Sequence, residues 1–136
     1  MSAPLVVVKI GGGVVEDATV TRHVLQDLGY LLEEGVRVVL MHGGGPQATA
    51  LANELGQTPN IVGGRRITDA PTLEIMKMVL GGTVATNLLG YCRGLNLPAV
   101  HVSGVASDVI QATKRPPRIV SGGGDTPIDF GHVGDI

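Results

Sequence analysis

The sequence contains no tryptophan, one phenylalanine and two tyrosines. It therefore lacks the aromatic platforms on which single-strand nucleic-acid binders stack bases. A single cysteine, Cys92, excludes an intrachain disulfide and fits a reducing compartment. On a helix, Cys92 reads most simply as a small apolar residue. No apolar run approaches the roughly 18 residues of a membrane span. The first apolar block, Leu5-Val6-Val7-Val8, is closed by Lys9 and is too short for a signal-peptide core. Ten Lys and Arg against 12 Asp and Glu leave a net charge of −2, so there is no polybasic arm and no acidic tail. The four histidines, His23, His42, His101 and His132, have no metal-ligand spacing, and no zinc or other metal ligands are expected. These absences point to a soluble cytoplasmic protein with no nucleic-acid or membrane partner.

What is present is a chain of 136 residues, 43% hydrophobic, which suits about one domain with a real core. Glycine is the outlier. The chain has 21, where average usage would give roughly ten. They cluster at 11–13, 43–45, 63–64, 81–82 and 122–124 without a three-residue period. Clusters of this kind between apolar runs mark backbone that turns sharply or approaches a ligand closely.

Residues 5–10 form a β-branched run that predicts a strand buried on both faces, as in a parallel sheet. Apolar residues at three- and four-residue spacing predict a helix over 17–34, with Asp17 as N-cap and Gly35 as C-cap. Residues 36–41 predict a second strand, ending in His42-Gly43-Gly44-Gly45. Pro46 then opens a helix that Gly56 closes. Strand, glycine turn, helix, strand, glycine turn, helix is the βαβ grammar of a parallel sheet. An irregular hairpin is expected around Gly63-Gly64. A long helix follows from Asp69 and Pro71 to about Leu95, with Gly81-Gly82 placed for close packing. Residues 98–103 predict a third strand. Residues 109–113 and a stretch before Pro116 suggest a polar hairpin, 121–127 a loop, and 130–136 a short final strand.

In a βαβ unit, ligands sit at the carboxyl ends of the strands, where both glycine runs fall. Glycine-freed backbone at a helix N-terminus suits phosphate or carboxylate. The Walker A pattern is absent. Gly43-Gly44-Gly45-Pro46-Gln47-Ala48 fits the dinucleotide fingerprint by letter, but it follows the second strand and no ribose-binding acid ends a next strand. Lys9 sits in an apolar strand two residues before a glycine turn. Position leaves two readings open for it: a lysine that snorkels or pairs with a carboxylate, or a cation that meets a transferred phosphoryl group. Arg65 and Arg66 are either a solvated pair or a guanidinium for carboxylate capture. The carboxylates of the last 30 residues, and Lys114, Arg115 and Arg118, read as solvated.

Three motifs in order and spacing, Val8-Lys9-Ile10-Gly11-Gly12, His42-Gly43-Gly44-Gly45-Pro46 and Gly64-Arg65-Arg66-Ile67-Thr68, resemble acetylglutamate kinase of the amino acid kinase superfamily. Val102-Ser103-Gly104, Ala112-Thr113-Lys114-Arg115 and Gly131-His132-Val133-Gly134-Asp135 fit more loosely. The resemblance implies an α/β fold: a three-layer αβα sandwich with a mainly parallel central sheet, of which residues 1–136 are the amino-terminal, substrate-binding lobe and from which the nucleotide-binding half is absent. It implies ATP-dependent phosphorylation of the side-chain carboxylate of N-acetyl-L-glutamate, in arginine biosynthesis. ATP and Mg2+ would be co-substrates, with no tightly bound cofactor, and the lobe alone would be inactive. By the same resemblance, Lys9 stabilises the transferred phosphoryl group and Gly11 and Gly12 lie against the nucleotide phosphates. Gly44 and Gly45 offer N–H groups to the substrate. Arg66 clamps its α-carboxylate, with Arg65 lining the pocket. The helix over 71–95 implies a homo-oligomer. Two alternatives stand beside this one: an acetylaminoadipate kinase of lysine biosynthesis, and a non-catalytic dimerisation or interaction module.

Overall fold

The computed structural model describes residues 2–136. They divide into two compact units. One runs to Ala48 and resumes over Val79–His101; the other takes Thr49–Met78 and Val102–Ile136.

The first unit opens with strand β1, Leu5–Ile10. A five-residue helix α1, Gly12–Glu16, and the longer α2, Ala18–Glu33, lead to strand β2, Arg37–His42. The strands are parallel, in register from Leu5 opposite Arg37 to Ile10 opposite His42. The Asp17 carboxylate accepts from Thr19 N at 2.8 Å and Val20 N at 3.0 Å. Such a cap stabilises a helix by about 1 kcal/mol. Gly35, at φ +77°, takes the left-handed conformation that lets the chain leave α2. Helix α3, Gly45–Glu54, starts directly after the second glycine turn and crosses into the second unit. One core cluster of the first unit joins Leu25 and Leu28 of α2 to Cys92 of a later helix; Val8, Val38 and Leu40 of the sheet pack against it. Burying a leucine fully, as at Leu25, contributes about 1.5–3 kcal/mol.

Two expectations for this unit are corrected. Strand β1 is not buried on both faces: Ile10 is buried and Val8 half-buried, while Leu5, Val7 and Lys9 are exposed. Among the described residues the sheet has only two strands, and Leu5, Val7, Val39 and Met41 on its second face are exposed. Residues 98–103 form no strand. Pro98 brings no N–H to a ladder, and Val100 stands 87% exposed. Residues 98–101 instead line a cavity of about 270 Å³ with Leu28, Leu40, Leu88 and Cys92.

In the second unit, strands β3, Ile61–Val62, and β4, Arg65–Arg66, form the expected hairpin. Gly63 and Gly64 turn it with φ of +55° and +74°, a pair of left-handed residues that a tight two-residue hairpin requires. Asp69 caps helix α4, Ala70–Lys77, by accepting from Thr72 N at 2.9 Å, with Pro71 in the first turn. The chain then runs through a π-helical stretch, Met78–Val84, into α5, Ala85–Gly94. The long helix thus has its expected span but changes pitch midway. Gly81 and Gly82 lie in that stretch, and a Cβ at either would meet nothing within 4 Å. Close packing inside the chain is therefore not what they serve. The polar hairpin expected over 109–116 does not form. Strand β5, Thr113–Lys114, pairs antiparallel with strand β6, Gly134–Asp135, near the end of the chain. The final short strand is present as β6.

Candidate functional site

Both glycine turns lie at the carboxyl ends of β1 and β2, and they touch. Gly43 N donates to Ile10 O at 2.9 Å. Gln47, in the first turn of α3, donates from Nε2 to Gly12 O at 2.9 Å and ties the turns together. Its Oε1 is buried with no hydrogen-bond partner among the described residues. The glycines sort into two kinds. A Cβ on Gly12 would come within 2.5 Å of Pro46 Cδ and 3.1 Å of Gly45 N; one on Gly43 would lie 3.0 Å from Gly12 N; and one on Gly44 would meet Leu80 Cδ2 at 2.7 Å. Packing requires glycine at position 12; at 43 the contact is a tight one with backbone, and at 44 it is with the end of the Leu80 side chain, which can turn aside. A Cβ on Gly11 or Gly45 would meet nothing within 4 Å. Those two positions border open space at the positive end of α3, where backbone can approach an anion closely.

Lys9 is the penultimate residue of β1, opposite Met41 and two positions before the first turn. Its side chain is exposed. It joins none of the ion pairs found among the described residues. The backbone therefore places Lys9 at the same end of the parallel pair as the contacting turns at 11–12 and 44–45.

Arg66 belongs to the other unit. It is half-buried on β4, and its Nη2 donates to Thr49 Oγ1 at 2.6 Å. Arg65, its neighbour on the hairpin, is exposed. Alternation along the strand separates the two guanidiniums, so one is held and the other solvated.

Two carboxylates and three cations in the second unit are paired more than the sequence suggested. Lys114 Nζ meets Asp129 Oδ2 at 3.0 Å. Arg115 and Arg118 converge on Asp135, at 2.6 and 2.8 Å. The Arg115 hydrogen bond holds the Asp135 carboxyl below its ordinary range, helped by the charges of Arg115 and Arg118 against some desolvation. The Gly131 N–H, followed by Lys114, does the same for Asp129. Thr72 lowers Asp69. A carboxyl whose folded value is depressed stabilises the fold above its unfolded value, near 3.9, and loses that contribution as pH falls through the folded value. Acid is thus expected to lower the urea midpoint below about pH 4. Asp135→Asn is expected to lower the midpoint at neutral pH and flatten the acid limb, as followed by circular dichroism across the pH series. These pairs lie 15, 20 and 17 residues apart in sequence, and no local signal announces them. Among the described residues no three His, Cys, Asp or Glu side chains are grouped so as to hold a metal ion. No helix there is long and apolar enough to cross a membrane.

Residues 4–136 match the amino acid kinase family. The acetylglutamate kinase of Anaeromyxobacter sp. (strain K) is 43% identical over 131 residues, which is 96% of this chain and 48% of that protein. The acetylglutamate kinase of Myxococcus xanthus is 41% identical over 133 residues, 96% of this chain and 43% of its own length. Among solved structures, N-acetylglutamate synthase from Neisseria gonorrhoeae, complexed with coenzyme A and N-acetyl-glutamate, superposes with a TM-score of 0.68 at 28% identity, over 98% of this chain and 28% of that one. A second structure of that synthase, with coenzyme A and L-arginine, matches in fold with a TM-score of 0.63 at 24% identity. The chain spans about half the length of the curated relatives it matches. The chain belongs to the amino acid kinase family.

Proposed function

We propose that residues 1–136 are the amino-terminal, substrate-binding lobe of an acetylglutamate kinase, in a three-layer αβα sandwich whose central sheet is mainly parallel once complete. The reaction is ATP-dependent phosphorylation of the side-chain carboxylate of N-acetyl-L-glutamate. The observation that carries this reading is the contact between the two glycine turns beside Lys9, in a chain 43% identical to an acetylglutamate kinase. The solved relative complexed with N-acetyl-glutamate supports the same class of ligand.

In this reading the residues divide the work by chemistry. Lys9 supplies a mobile ammonium for the charge that builds on oxygen as a phosphoryl group moves. Gly44 and Gly45 let substrate oxygens approach backbone at the start of α3, and Gly11 and Gly12 do so for nucleotide phosphates. Arg66, its guanidinium held by Thr49, takes the substrate α-carboxylate. Rate enhancement comes from positioning and charge neutralisation, with no covalent protein intermediate. ATP would supply the phosphoryl group, with Mg2+ as co-substrate, its phosphates lying against Gly11 and Gly12.

The expected result with the 136-residue chain is saturable binding of N-acetyl-L-glutamate by calorimetry and no ATP consumption in a coupled assay. Tighter binding of N-acetyl-L-aminoadipate would move the assignment to the lysine-pathway enzyme. Robust turnover by the chain alone would sink the claim that a further half is required.

A further inference from the structure

Six glycines make up the two turns, Gly11 to Gly13 and Gly43 to Gly45. Glycine has the widest choice of backbone conformation, so a turn built from it keeps one shape only where its peptides are tied. The ties can be followed one by one. Ile10 O accepts from Gly43 N at 2.9 Å, and Gly11 O from Val14 N and Val15 N at 3.1 and 3.2 Å. Gly44 O accepts from Ala48 N at 2.9 Å. These donors are backbone. Gly12 O takes a side-chain donor, Gln47 Nε2 at 2.9 Å, from a residue 35 positions away in sequence.

Gln47 makes this bond at a cost. Its Oε1 is buried with no hydrogen-bond partner among the described residues, and a buried acceptor left unpaired is destabilising. That oxygen lies 3.3 Å from where a Cβ on Gly12 would stand, so both ends of the amide lie against Gly12. Turning the amide over would set Oε1 against Gly12 O, acceptor facing acceptor, so the nitrogen is the end that meets the carbonyl. For filling space alone, a leucine or methionine would serve without the orphaned oxygen. What the amide adds is a donor aimed at one carbonyl. The peptide is trans and planar, so holding Gly12 O fixes the plane of the whole Gly12–Gly13 peptide.

We propose that Gln47 is a positioning residue: its amide locks the Gly12–Gly13 peptide to the first turn of α3, so that the two glycine turns meet ligand as one preorganised surface. A ligand seated at Gly44 and Gly45 is then felt at Gly12 and Gly13. Preorganisation raises affinity because the glycines are ordered before the ligand arrives. By linkage, an anion at 11–12 strengthens binding at 44–45, and the reverse holds by the same factor. Gln47 itself touches no reacting atom in this role. The ligand coupling rests on the reading of the turns as receiving N-acetyl-L-glutamate and phosphate; the lock does not.

The test compares the 136-residue chain with its Gln47→Leu variant in three measurements. Nitrogen-15 relaxation without ligand is expected to give rigid amides at Gly12 and Gly13, with order parameters of about 0.85 that fall below about 0.6 in the variant. The urea midpoint is expected to stay level, the lost bond being offset by removal of the orphaned oxygen. Titration with N-acetyl-L-glutamate is expected to shift the amides of Gly12 and Gly13 as well as Gly44 and Gly45. In the variant the shifts at 12 and 13 collapse and Kd rises about threefold to tenfold. Gln47→Met is expected to behave like Gln47→Leu. Asn53→Leu, the same exchange at an exposed position of α3, is expected to change none of the three. Unchanged order parameters at Gly12 and Gly13 overturn the proposal. So does a midpoint that drops in step with affinity, which would make Gln47 a structural residue only. Ligand shifts that stop at the second turn in the parent chain overturn it too. Glycines loosened in the variant, with no ligand shifts in either chain, uphold the lock and remove the substrate reading together with the coupling.

Discussion

Gly12→Ala is expected to destabilise the chain by about 1–3 kcal/mol, the usual cost of forcing a group into occupied space. The new methyl would fall within 2.5 Å of Pro46 Cδ and 3.1 Å of Gly45 N. Proline cannot rotate its ring away as a flexible side chain would, and the second contact is backbone. The two turns must therefore separate, with the Gln47 to Gly12 hydrogen bond at risk. Gly45→Ala is the matching control. Its methyl enters open space at the first residue of α3, so the urea midpoint is expected to hold or rise, alanine being the better helix former by up to about 1 kcal/mol. Binding of N-acetyl-L-glutamate is nevertheless expected to weaken, because that open space is where substrate oxygen meets backbone. A pair in which one glycine governs stability and its neighbour governs affinity separates the packing role of these turns from the ligand role.

Arg66→Ala carries the largest expected effect on binding. Losing a charge-assisted, two-pronged contact to a carboxylate commonly costs 2 kcal/mol or more, about 30-fold or more in Kd. Calorimetry with N-acetyl-L-glutamate reads it. Arg65→Ala, on the exposed side of the hairpin, is expected to change affinity only modestly. Thr49→Val keeps the guanidinium but removes the oxygen that accepts from its Nη2, and an intermediate loss is expected. Equal losses from Arg65→Ala and Arg66→Ala would mean that net charge, not the held geometry of Arg66, matters.

Local chemistry made much of this structure legible from sequence. Asp17 and Asp69 are short carboxylates placed before helical periods, and both cap. Gly35, Gly63 and Gly64 sit where φ is positive. The repeated order of strand and glycine turn put both turns at one end of a parallel pair, and Cys92 is indeed a buried helical residue. Features set by distant partners were not legible. Whether β1 is covered on both faces depends on what lies over the sheet, not on its own valines. Residues 98–103 have strand-like composition but find no partner ladder. The pairing of Arg115 and Arg118 with Asp135 depends on a fold-back of about 20 residues. Helix α1 was hidden because it starts inside a glycine run, where propensity argues against it. It is held from outside, with Thr21 Oγ1 donating to Val14 O at 2.7 Å. The π-helical stretch left no periodic trace beyond two glycines, which invited a packing explanation.

The central claim is that the junction of the two turns receives acidic oxygens. Amide-resolved NMR of the labelled chain, titrated with N-acetyl-L-glutamate, reads this directly. Shifts are expected to centre on Gly44, Gly45 and Arg66, and to shrink in Arg66→Ala. Shifts confined to the basic residues 114–118, or no shifts at saturating ligand, would contradict it.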